Sequence, residues 1–92
     1  MDLIAAQLQA AKKVGLNNIV SLGVSPRKDK RFRVTFTHNG NLARADYGAP
    51  GMQTFLEHKD EKRRKNFHAR FRSNVGYNDK KSGLFWAARL LW

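Results

Sequence analysis

Seven cations crowd one short segment: Lys59, Lys62, Arg63, Arg64, Lys65, Arg70 and Arg72. The stretch 60–73 is helical by composition, with its acids first and its bases later, as the helix dipole favours. At about 100° per residue, Lys59, Arg63, Arg70 and Lys62 share a broad face that Phe67 and Phe71 flank. Adjacent like charges repel on a helix, so helix stability does not select such a run. A polyanion offsets the repulsion. Each phosphate it neutralises releases condensed counterions, which gives affinity without sequence readout. Lys62 to Lys65 also resembles a basic nuclear-localisation tract. The bland reading is a solvated helix back; binding of nucleic acid or of another acidic partner is the expectation.

Catalytic chemistry has little to work with. The histidines are His38, His58 and His68, without H-x-x-x-H or H-E-x-x-H spacing. There is no G-x-S-x-G and no Walker-type glycine loop. Cysteine is absent, which removes thiol catalysis, disulfides and Cys-ligated zinc. The chain has only seven acids, and several have caps or cross-strand partners to serve. No enzyme activity, metal, cofactor or small-molecule substrate is expected.

The elements that must position these residues follow from pattern. Asp2 caps a helix over 2–14 with Ile4, Leu8 and Ala11 on one face, and Gly15 ends it. A helix this short is marginal in water, so it docks either on the rest of the domain or on a neighbouring chain. Residues 16–24 are ambiguous, because Asn17-Asn18 and Gly23 punctuate a short apolar run. Residues 31–37 alternate strictly, and Asn39-Gly40 signals a type I′ hairpin with 41–47 as the return strand. That register sets Phe32 opposite Tyr47, Val34 opposite Ala45 and Phe36 opposite Ala43 on an apolar face. Phe32, Phe36 and Tyr47 could form a stacking platform for single strands, but a thin core needs them inside.

Thr54-x-x-Glu57 fits a capping box, and Asp60 is a second cap. Ser82 caps a last helix whose stripe is Leu84, Ala87, Ala88 and Leu91, with Phe85, Trp86 and Trp92 around it. This end is too apolar to be a free tail. It either closes the core or docks on a partner, Trp being an interface anchor. Ile4, Leu8, Trp86 and Trp92 are the candidate docking residues.

Length and composition bound these readings. Ninety-two residues make one domain. The net charge of +11 exceeds the magnitude of about 2–8 that solubility needs in a small domain. No apolar run approaches the roughly 20 residues of a membrane span. The opening Met1-Asp2-Leu3-Ile4 has no basic stretch followed by an apolar one, so no secretory signal is expected.

Tyr47-Gly48-x-Pro50-Gly51-Met52, Phe55, His58-Lys59-Asp60-Glu61-x-Arg63 and His68-Ala69-Arg70-Phe71 resemble a family of small basic proteins of large DNA viruses of algae and amoebae. The finish, Gly83-Leu84-Phe85-Trp86 through Leu90-Leu91-Trp92, is similar to that family's Gly-x-Trp-x-x-x-Leu-Leu-Trp ending. The resemblance covers about residues 31–92. It departs after the long helix, where Tyr77 stands near a position often held by tryptophan. It implies a virus-encoded, particle-associated protein without a known enzymatic activity. The expectation is therefore an α+β fold: a β-hairpin (about 31–47) packed on two C-terminal helices, forming a domain over 25–92, with an N-terminal helical arm over 1–24. Its expected role is a minor capsid protein of the virion that bridges coat proteins or lines the acidic particle interior. The alternative is a sequence-independent binder of the packaged DNA. Assembly would place it in host cytoplasm or nucleus.

Overall fold

Asn39 and Gly40 take φ of +53° and +81°, the left-handed pair that a type I′ turn requires. They join β2 (Phe32–His38) to β3 (Asn41–Tyr47). The two-residue loop fixes the register, so Phe32 pairs with Tyr47, Val34 with Ala45 and Phe36 with Ala43. The side chains of Phe32, Val34, Phe36, Ala45 and Tyr47 are buried on one face. On the other, Arg33 Nε lies 2.8 Å from Asp46 Oδ1.

The computed structural model describes residues 2–92 and is α+β. Its antiparallel sheet has the order β1-β2-β3, with β1 spanning Ile19–Val24. Four α-helices accompany it: α1 (Leu3–Lys13), α2 (Phe55–His58), α3 (Glu61–Phe71) and α4 (Gly83–Leu90). A 3-10 turn covers Val75–Asn78. The ambiguous stretch after Gly15 thus contains an edge strand. A bulge between Ile19 and Ser21 interrupts its pairing with β2, and this irregularity hid the alternation in the sequence.

The described part of the stretch 1–24, expected as an arm, supplies that strand and a helix seated in the core. Met1 lies outside the described residues. The Asp2 carboxylate accepts from the amides of Ile4 and Ala5 and starts α1. The helix packs on α4 and β1 and buries Gln7 and Ala11. The apolar stripe is rotated from the expected one: Ile4 is half-buried, and Leu8 stays 40% exposed at the edge. Gln7 goes inside because the buried Tyr47 hydroxyl donates to its Oε1.

α4 is apolar almost all round, and its surroundings account for that. It is wedged between β3, α1 and the 3-10 turn, with Phe85, Trp86, Ala88 and Leu90 buried. Trp86, expected to dock a partner, is fully buried. Its ring centroid lies 4.8 Å from that of Phe36, and its Nε1 donates to the Lys80 carbonyl at 2.7 Å. Glycine is required at position 83, where a Cβ would overlap the carbonyl oxygen of Asp46. That close approach seats the start of α4 on the end of β3.

Candidate nucleic-acid interface

Both caps foreseen before the basic helix are used, one after the other. The Glu57 carboxylate accepts from Thr54 N and Thr54 Oγ1, each at 3.2 Å, and closes α2 into a single turn. Lys59 follows at φ +57°, a left-handed position rare for a residue with a Cβ. Asp60 then accepts from the amides of Lys62 and Arg63 at 3.0 and 3.3 Å and opens α3.

The inward side of α3 carries Arg64, Phe67, His68 and Phe71, all half-buried. The chain's last residue holds this side. Phe67 stacks on Trp92 with ring centroids 4.6 Å apart and planes 3° from parallel. Arg64 Nε donates to the Trp92 carbonyl at 2.8 Å, and Arg64 Nη1 lies 3.5 Å from Glu61 Oε2. Arg64, expected among the binding cations, is therefore a clamp between α3 and the C-terminus. Trp92 has one face given over to Phe67, so of the expected docking residues only Leu8 is freely exposed.

The histidines are built into the same underside. His58 Nδ1 accepts from Asp60 N at 2.9 Å, which puts the proton of the neutral ring on Nε2. His68 Nδ1 shares a 2.8 Å hydrogen bond with the Tyr77 hydroxyl. Both Nε2 atoms are buried and have no hydrogen-bond partner among the described residues. Among the described residues, no three His, Cys, Asp or Glu side chains gather as a metal would need.

Lys59, Lys62, Arg63, Lys65, Arg70 and Arg72 remain, and all six are exposed. Among the described residues, none of them forms an ion pair. All seven acids are engaged elsewhere. Asp2 and Asp60 cap helices, and Asp79 accepts from Lys81 N. Asp29 pairs with Arg27, Asp46 with Arg33, Glu57 with Arg31 and Glu61 with Arg64. The Arg31 guanidinium holds the Glu57 carboxyl below the usual range, and Arg33, helped by Ser25, does the same for Asp46. The positive potential of the outward face of α3 is thus left for solvent or for a partner.

Arg89 is a cation that sequence reasoning passed over. Its guanidinium sits 3.8 Å from the Phe85 ring centroid and donates to the Tyr77 carbonyl at 2.7 Å. Burial lowers its pKa, and it acts as a strut between α4 and the 3-10 turn. It donates to the Tyr77 and Phe85 carbonyls and, at 3.2 Å, to Asn78 Oδ1, a set that no residue pattern marks.

The fold and this face define a small α+β domain with a cationic helix presented on its surface. Over residues 20–71, more than half of its length, the chain belongs to a family of unknown function, DUF5754. The match takes in the sheet from Val20 onward and the basic helix, while α1 and α4 lie beyond it. No curated protein and no solved structure matches the chain. Among the described residues, no helix is long and apolar enough to cross a membrane.

Proposed function

We propose that this protein is a non-catalytic, basic component of a DNA-virus particle that holds nucleic acid by its phosphates on the outward face of α3. The observation that carries the reading is the set of six exposed cations, four on α3 and one beyond each of its ends, that have no carboxylate partner among the described residues. A helix surface of that kind repels itself until phosphates neutralise it. The viral setting comes from the resemblance of residues 31–92 to small basic proteins of large DNA viruses. Trp86 has no accessible surface for a coat protein, and α1 is occupied by the core. Both facts move the balance from coat-protein docking towards the packaged genome.

The minor-capsid reading keeps the support of exposed apolar side chains, Leu8 of α1 among them. Val20 and Val24 on the edge strand β1 are 58% and 77% exposed, which suits contact with another protein chain. Binding of the purified protein to unrelated duplexes over a salt series separates the two. Comparable affinity for each duplex with a steep salt dependence supports the genome reading. Little or no duplex binding at physiological salt, together with incorporation into particles, supports the capsid reading.

A further inference from the structure

α3 stands away from the sheet across a cleft of about 760 Å3. This size is within the roughly 300–1,000 Å3 of small-ligand sites. Residues 44–49 at the end of β3 and residues 52–54 form one wall; Phe67 and Phe71 of α3, with Trp92, form the other. Phe67 is the middle ring of the three: it stacks on Trp92 and lies 4.8 Å from Phe71, centroid to centroid, while His58 lies 5.2 Å from Trp92. All three are half-buried.

The rest of the lining mixes the apolar Leu84, Ala87 and Leu91 with cations, of which Arg27 is paired with Asp29. Lys30, Arg44, Arg70 and Lys81 contribute to it, and among the described residues none of the four has an ion-pair partner. Arg70 lies over the Phe71 ring, 4.7 Å from its centroid. Asp46 is the only acid in the lining, and Arg33 and Ser25 already occupy its carboxylate. An occupant that brings negative charge together with a flat apolar surface suits this lining.

We propose that this cleft takes an unpaired nucleotide of a single-stranded nucleic acid, its base on the aromatic side of the cleft, at Phe71, and its phosphates on Arg44, Lys81 and Arg70. Stacking on aromatic side chains beside a cationic groove is how single strands are held without base readout. A duplex keeps its bases stacked on one another and offers only phosphates. The proposal deepens the nucleic-acid reading of α3 and rests on it. Arg70 borders both surfaces, so a strand can pass from one to the other.

The test is titration of the full chain with a short oligo-dT and with a duplex of equal length, following tryptophan emission. Trp86 is fully buried, so quenching reports Trp92. The single strand should bind more tightly and quench the emission, and the duplex should not quench. Phe71→Leu keeps an apolar side chain in place and should weaken single-strand binding about 5- to 100-fold, the loss of one base stack. Arg44→Ala and Lys81→Ala, both at exposed positions, should weaken the single strand while leaving the duplex unaffected. Duplex binding with no single-strand preference and no quenching overturns the cleft proposal and leaves the α3 reading standing. Displacement of the oligonucleotide by polyglutamate with the same quenching also overturns it, in favour of an acidic protein segment. Binding of neither nucleic acid overturns both.

Discussion

The Tyr47 hydroxyl donates a 2.6 Å hydrogen bond to Oε1 of Gln7, tying the end of β3 to α1 across 40 positions of sequence. Both side chains are buried, and Gln7 Nε2 donates in turn to the Leu3 carbonyl at 3.1 Å. The bond joins the first helix to the hairpin and explains why a glutamine occupies the core.

Tyr47→Phe should therefore destabilise the protein by about 1–3 kcal/mol, because Gln7 Oε1 is left buried without a donor. Urea unfolding measures it. Burial also raises the Tyr47 pKa, so the folded state holds this proton more tightly than the unfolded chain does. Its contribution is complete below the ordinary tyrosine value of about 10 and is lost as pH rises beyond that. The variant should lose less stability than the parent in this alkaline range. Equal losses would mean that Tyr47 is not the group responsible.

Gly83→Ala tests the seat of α4. The added Cβ overlaps the Asp46 carbonyl oxygen, backbone that can move only by lifting the helix. The expected cost is about 1–3 kcal/mol, the usual range for overpacking. A melting temperature equal to the parent's would show that α4 does not approach β3 so closely.

Asp46 should govern part of the acid limb of stability. Its carboxyl is held low, first by the Arg33 hydrogen bond and then by Ser25. A depressed carboxylate contributes fully above its unfolded value, about 3.9, and loses that contribution as pH falls through its folded value. Asp46→Asn should lower stability at neutral pH and flatten the decline below about pH 4. An acid limb of unchanged steepness would assign the decline to other carboxylates.

Lys59 links backbone strain to binding. A side chain at φ +57° carries a cost of about 1–2 kcal/mol that glycine avoids. Lys59→Gly should raise stability by up to about 1 kcal/mol and weaken duplex binding, with a salt slope shallower by about 0.9. A variant that is more stable and binds equally well would remove Lys59 from the interface.

Local chemistry made much of this structure legible. Asn39-Gly40 set the hairpin register, and Asp2, Asp60 and Ser82 announced helix starts that their side chains cap. The crowding of cations at 59–72 was equally plain. What stayed hidden depends on partners far along the chain. Gln7 is off the apolar stripe expected for α1, and Tyr47, whose hydroxyl draws it inside, is 40 positions away. Arg64 was indistinguishable from Arg63 until Trp92, 28 positions on, turned out to be its acceptor. Trp86 read as an anchor for another protein, whereas the pocket it fills is assembled within this chain, against Phe36. The cleft could not be foreseen either, since its walls come from β3, α3 and the C-terminus together.

The most direct test of the account is the salt dependence of duplex binding by the triple variant Lys62→Ala, Arg63→Ala, Lys65→Ala. These side chains are exposed and form no ion pair among the described residues, so the fold should be unaffected. The slope of log K against log salt should become shallower by roughly 2–3 units, about 0.9 for each lost phosphate contact. Unrelated duplexes should lose affinity to the same extent, because phosphate contacts carry no sequence information. An unchanged slope, or tight binding confined to one DNA sequence, would contradict the assignment of the α3 face to nucleic-acid phosphates.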